Sequence, residues 1–497
     1  EVASKGIGLC PKEVELLLVG AAVYEKSGNK TRAAANYGTV IKMSPNKVDA
    51  YLRLANIYSD RREYQAATDV LTKGIARIRA ATPSSDALLS LLNLNAQILL
   101  KAGWLEKARD AFAEVVNVDE TQTDARMNLA LLMSQLGDYA GAVKNFEVFY
   151  RQRRHNPNVV VSFGYTLIRS GQPQRAIKEL TDFLRVNPGH LKAVIALGYV
   201  YEQVQDFEKA EMALREAHRI DPTNAEAYFM TGRLELSRER KKAGEAKDKS
   251  NVGPDFRKAV VALSTAVEKE EDNLEYRELL AQALTESGDK ESLKAALEQY
   301  DRIIQTYMQY QKDKKRIDRR ASVYFERAML ASYASLGRTR MDVLADFREA
   351  TVLDPARIDM ISRFAEEMYL AQFRTKGTGG ALVSEAESYF EFVLSVDKTH
   401  IRSNYYLGRI RLRQWDKQRP RSAGNKVHDS ARVHLERVVT HDQGKKFPVA
   451  YKELADIYKD RKMYRLARRF YQEYLKVYQR QKGTPPDDIR YIRKLLT

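Results

Sequence analysis

One cysteine, Cys10, stands among 497 residues, so no disulfide can form within the chain and no thiol cluster exists for metal or redox chemistry. Prolines number 13, which leaves long stretches free of helix breakers. No apolar run approaches the roughly 18 residues that a membrane span requires, so the chain reads as soluble, and its composition fits the cytoplasm and the bacterial periplasm alike. Catalytic signatures are missing too. There is no G-x-S-x-G, no H-E-x-x-H and no Walker loop, and "KGTGG" at Lys376 to Gly380 lacks the lysine and the spacing of one. Of seven histidines, His428, His434 and His441 are the one cluster, and their separations do not place two on one helical turn for a metal. The sequence is therefore read as non-enzymatic, with no metal and no cofactor.

Charge is plentiful but uneven. The formal net charge is +17, and residues 401–497 hold 25 Lys and Arg against 10 Asp and Glu, so almost the whole excess lies at one end. A near-neutral body with a basic end points to an acidic partner surface at that end.

What the chain has in abundance is spacing. "LGYVYEQVQDFEKAEMALREAHRIDP", Leu197 to Pro222, matches itself about every 34 residues: "FGYTLIRSGQPQRAIKELTDFLRVNP" from Phe163, "LANIYSDRREYQAATDVLTKG" from Leu54, "LADIYKDRKMYRLARRFYQEYL" from Leu454. In each frame a large residue is followed by Gly or Ala and by a large residue three positions on: Leu54, Ala55, Tyr58; Leu197, Gly198, Tyr201; Leu454, Ala455, Tyr458. These share one face of a first helix. A second helix carries Ala210, Leu214 and Ala217, whose small members let the two helices approach and whose large member fills the space beside them. A turn such as "QDF" separates the helices, and Asp-Pro or Asn-Pro stops the second.

This grammar resembles the tetratricopeptide repeat family. The resemblance implies an all-α, right-handed superhelical solenoid of about twelve helix-turn-helix repeats with a C-terminal capping helix, each repeat burying its apolar face against its neighbours. Clean frames begin near Val14, Val48, Thr123, Pro157, Leu191 and Pro448, and the loosest near Ala321. The expected divisions are a lead-in at 1–13, repeats with an apolar groove at 14–236, a charged insertion at 237–254, degenerate repeats at 255–400 with a second insertion at 373–384, and basic repeats at 401–482 interrupted at 415–427. A cap at 483–497 carries the apolar stripe Ile489, Ile492 and Leu496.

In the family geometry, first helices line a concave face. The resemblance then places Met127, Asn128, Leu131, Val161, Tyr165, Ile168, Ile195, Tyr199, Phe229, Met230 and Arg233 in a protein-binding groove, and Arg402, Tyr405, Tyr406, Arg409 and Arg413 in a basic partner patch. A family clamp for a peptide's terminal carboxylate needs lysines and an arginine. The nearest trio offers Asn93 and Gln97, then Asn128, then Asn158 and Ser162, so that clamp is disfavoured.

The expected function is a protein-interaction scaffold that holds partner segments in its groove and an acidic partner at its basic end, inside a larger assembly such as a bacterial envelope, secretion or motility machine. Two alternatives stand beside it: a polyanion binder for RNA, DNA or an anionic surface through 401–497, with nucleic acid the less favoured partner, and a regulatory subunit of an enzyme complex.

Overall fold

A computed structural model describes residues 13–82, 85–152, 157–245, 254–312, 320–333, 336–371, 379–417, 426–442, 446–479 and Ile492. Among these, the chain is all α-helical, with 24 helices that fall into two compact units, 1–254 and 255–497.

The first unit contains six hairpins: α1 Val14–Lys26 with α2 Lys30–Met43, α3 Val48–Asp60 with α4 Tyr64–Ala81, α5 Asp86–Lys101 with α6 Leu105–Val118, α7 Thr123–Gln135 with α8 Tyr139–Gln152, α9 Pro157–Arg169 with α10 Pro173–Val186, and α11 Leu191–Gln203 with α12 Phe207–Ile220. It ends with α13, Ala225–Glu245. The second unit begins with α14, Arg257–Lys269, and continues in five hairpins: α15 Leu274–Ser287 with α16 Lys290–Lys312, α17 Ala321–Tyr333 with α18 Arg340–Leu353, α19 Ile358–Ala371 with α20 Gly379–Val396, α21 Ile401–Lys417 with α22 Lys426–Asp442, and α23 Val449–Asp460 with α24 Tyr464–Gln479. Within each unit, first helices of successive repeats also meet: α3 with α5, α9 with α11, α11 with α13, and α19 with α21. Those contacts set first helices side by side at these places.

The small residue of each frame has a visible cause. A Cβ on Gly198 would lie 3.1 Å from Leu214, and one on Gly164 or Gly408 would lie 3.0 Å from Leu180 or Leu435. The leucine of the second helix rests on the bare backbone of the first, and Ala210, Leu214 and Ala217 are buried around it.

The turn between helices needs one residue in the left-handed region. Gly171 supplies it at φ +76°, whereas Gln205 adopts φ +61° at the same place in the next repeat. A side chain there is strained against its own backbone. Gln205→Gly is expected to stabilise the first unit by about 1 kcal/mol, read as a rise in the midpoint of chemical denaturation; an unchanged or lower midpoint would deny the strain.

The charged segment at 237–254 begins as helix, since α13 runs on to Glu245; residues 246–253 lie outside the described residues. Residues 379–384 of the second insertion belong to α20. In the third, 415–417 end α21 and 426–427 begin α22, while 418–425 lie outside the described residues. The same is true of the lead-in through residue 12 and of the expected cap, apart from Ile492, which is buried in the second unit's core.

Candidate functional site

The inner face of the first unit holds an open hollow of about 490 Å³ between α3 and α5, closed at one side by the start of α7. Leu52, Leu89 and Leu94 give it apolar walls. Asn56, Ser90, Asn93, Gln97 and Gln122 give it hydrogen-bonding groups, and Asp86 is the one charged residue of the lining.

Local structure sets these groups in place. Ser85 caps α5 by accepting from the Leu88 amide at 3.2 Å, so the helix starts at Asp86 and puts Ser90, Asn93 and Gln97 on one face. Asn93 donates its Nδ2 to the Leu89 carbonyl at 3.1 Å, which fixes its amide with Oδ1 as the accepting end. Gln122, the residue before α7, donates Nε2 to Asp119 at 2.7 Å. Nearby cations are engaged elsewhere: Arg53 lies 3.6 Å from Glu25, and Lys101 donates to Ser59 Oγ at 3.5 Å.

The chemistry of this lining is selective. A primary amide carries a donor and an acceptor side by side, as a peptide group does, so four of them above leucine walls match an extended backbone with apolar side chains. Phosphate and terminal carboxylate ask for Arg or Lys, and the lining has neither.

The eleven groove residues expected from the sequence all lie on first helices α7, α9, α11 and α13, which the fold brings side by side. Their surroundings differ. Met127, Asn128, Leu131, Val161, Tyr165, Ile168, Met230 and Arg233 are half-buried, whereas Ile195, Tyr199 and Phe229 are buried. Tyr165 and Tyr199 meet with ring centroids 5.2 Å apart, and the Arg233 guanidinium covers Tyr199 at 4.3 Å. Arg233 also pairs with Glu202 at 2.6 Å, and Ser237 donates to the same carboxylate at 2.6 Å. Burial holds the Tyr165 hydroxyl above the ordinary phenol range. Tyr199 is thus covered by its neighbours, while eight of the eleven residues keep part of their surface open.

The basic patch is likewise engaged within the fold. Tyr405 and Tyr406 are buried, the first stacked on Phe447 at 4.3 Å and the second on Phe390 at 5.7 Å. Tyr406 donates its hydroxyl to Glu366 at 2.6 Å. Arg402 lies 3.0 Å from Glu366, Arg409 lies 3.0 Å from Glu453, and Arg413 sits over the Tyr369 ring at 5.7 Å. Exposed cations at this end include Lys446, Lys462, Arg465, Arg468, Arg469 and Lys476, most of them on the last hairpin.

Sequence reasoning did not select Asn56, Asp86 or Gln122. The readable signal is a recurrence of amides on successive first helices: Asn93 with Gln97 and then Asn128 enter the sequence reading only as candidates for a carboxylate clamp, and Asn56, one repeat earlier, extends the series. Among the described residues no three His, Cys, Asp or Glu side chains gather as a metal set, and no helix is long and apolar enough to cross a membrane.

A family model for the tetratricopeptide repeat matches residues 20–85 and 162–225, one segment around α3 and one around α11. Both segments are tetratricopeptide repeats, and the helical hairpins continue on either side of them. Similar tetratricopeptide proteins include the TPR repeat-containing protein YpiA of Bacillus subtilis, 22% identical over 344 residues that cover 65% of this chain and 78% of that one. The protein CTR9 homolog of Arabidopsis thaliana is 25% identical over 236 residues, 46% of this chain but 21% of its own length. Among solved structures, the human IFIT1 dimer with m7Gppp-AAAA aligns over 86% of this chain and 90% of its own at a TM-score of 0.44 and 14% identity.

Proposed function

We propose that this tetratricopeptide repeat protein is a non-enzymatic scaffold that captures an extended segment of a partner protein in the hollow between α3 and α5, within a multiprotein assembly. The observation that carries the reading is the lining: four amides and a serine over leucine walls, with no cation among them. Such a surface offers hydrogen bonds to a backbone and little to a phosphate. The acidic partner expected at the basic end is assigned to the exposed Lys462, Arg465 and Arg469, because Arg402 and Arg409 already face Glu366 and Glu453.

The test is a selection from a displayed library of twelve-residue peptides on the full chain, followed by affinity measurements with the selected peptides. Asn93→Ala with Gln97→Ala is expected to weaken binding by about tenfold or more, since two hydrogen bonds of about 1 kcal/mol each are lost. Binding should weaken only slightly with salt. A steep loss with salt, with the double variant unchanged, would place capture on the basic end instead.

A further inference from the structure

Asp86 differs from every other residue around the hollow. It lies in the first turn of α5, it is exposed, and among the described residues its carboxylate makes no hydrogen bond or ion pair. Its neighbours leave it that way. Ser90 donates to the Asp86 backbone carbonyl at 2.8 Å and not to the side chain, and the cap of the helix is made by Ser85. Arg53 and Lys101, the cations on the two helices that form the hollow's sides, are drawn to Glu25 and Ser59. One negative charge therefore stands at the edge of a cavity whose other polar groups are neutral.

We infer that the segment held in this hollow carries a lysine or arginine that pairs with Asp86, and that this pair sets both the direction and the register of the bound chain. The inference rests on the peptide-capture reading above and deepens it. Amides hold a backbone without reading sequence, because every residue presents the same peptide group. A lone carboxylate at one edge breaks that degeneracy: a cation at one position gains a charge-assisted hydrogen bond, and an acidic residue at that position is repelled. The leucine walls beside it accept the aliphatic stem of the same side chain, so a lysine or arginine buries its methylenes while its charged end reaches the carboxylate.

The experiment is the same twelve-residue library selected in parallel on the full wild-type chain, Asp86→Asn and Asp86→Lys. The wild type is expected to enrich lysine or arginine at one fixed position, and a lysine peptide so selected should bind Asp86→Asn about two- to fivefold more weakly. Asp86→Lys should enrich aspartate or glutamate at that same position. Peptides that depend on Asn93 and Gln97 but show no preference for a cation, or that bind all three chains alike, would overturn the inference and leave the capture reading standing. A library that yields no peptide dependent on Asn93 and Gln97 would overturn both. Asp86→Asn keeps the size of the side chain and a residue type suited to a helix start, so an unaltered melting curve accompanies the expected result.

Discussion

Replacing Arg327 with methionine is expected to destabilise the second unit by about 3 to 5 kcal/mol, the largest effect of any single change considered. Arg327 and Asp346 are both buried, and the guanidinium donates to that carboxylate through Nε at 2.8 Å and through a second nitrogen at 2.5 Å. It also donates to Asp301 at 2.8 Å, which Arg338 contacts from the other side. Burial already holds the Asp346 carboxyl above its usual range with Arg327 in place. Without the guanidinium, α18 would keep a buried carboxylate that has lost both of its Arg327 hydrogen bonds and retains only Arg338, 4.0 Å away, or would have to take up a proton. The double variant Arg327→Met with Asp346→Leu removes both charges and should recover most of the loss, because Asp301 keeps Arg338. Hydrogen exchange of the full chain reads the result: faster exchange across 321–353 in the single variant, near-normal exchange in the double, and no change in the first unit. Equal destabilisation by both variants would mean that side-chain volume and not charge is what the site requires.

The second large effect is a pair of opposed pH responses in the last two hairpins. Burial pushes the Glu453 carboxyl up to about 7 despite Arg409 and Lys452, with Asp456 adding to the rise, and its Oε2 has no hydrogen-bond partner. Its folded value exceeds its unfolded one, so its contribution to stability is full below about 4.5 and is lost as pH rises through about 7, an effect of about 3 kcal/mol. His434 runs the other way. Burial, with Arg437 and Arg411 repelling the charged ring, pushes it down to about 4. Its Nδ1 donates to Asn404 Oδ1 at 2.9 Å; the Asn404 amide nitrogen is spent on the Lys398 and His400 carbonyls. The neutral ring is the folded form, and stability is lost as pH falls from about 6.5 through about 4, again by about 3 kcal/mol. The two slopes oppose each other between about 4.5 and 6.5. Compared with the parent chain, Glu453→Gln should gain stability progressively from pH 5 to pH 8, and His434→Gln should gain it from pH 6.5 down to pH 4. Denaturant midpoints at half-unit steps of pH measure both differences. Parallel curves for parent and variants would show that neither group is held away from its ordinary titration.

The repeat itself was legible because its cause is local. A helix pair places a small residue under a large one of its second helix, sixteen positions on in the clean frames, as Gly164 lies under Leu180 and Gly198 under Leu214, and that spacing records the contact. Frame starts read at Val14, Val48, Thr123, Pro157 and Leu191 coincide with helix starts for the same reason. Occupancy of the inner face was less legible. A frame position says that Tyr199 points toward that face, but Arg233, a whole repeat later, is what covers it. In the same way Arg402 and Tyr406 carry the positions of an open cationic groove, and Glu366 on the preceding first helix engages both. Such partners lie 30 to 40 residues apart, beyond any window in which periodicity is read. The hollow escaped for the opposite reason: its amides are unremarkable one by one, and only the approach of α3 to α5 gathers Asn56, Asn93 and Gln97 around one space.

The account turns on where a partner segment lies. A selected twelve-residue peptide carrying a photoreactive group at its centre, crosslinked to the full chain and mapped by mass spectrometry, tests this most directly. The account predicts crosslinks within 52–122, on α3, α5 and the start of α7, and their loss in the Asn93→Ala, Gln97→Ala variant. Crosslinks confined to 161–233 or to 401–476 would contradict it.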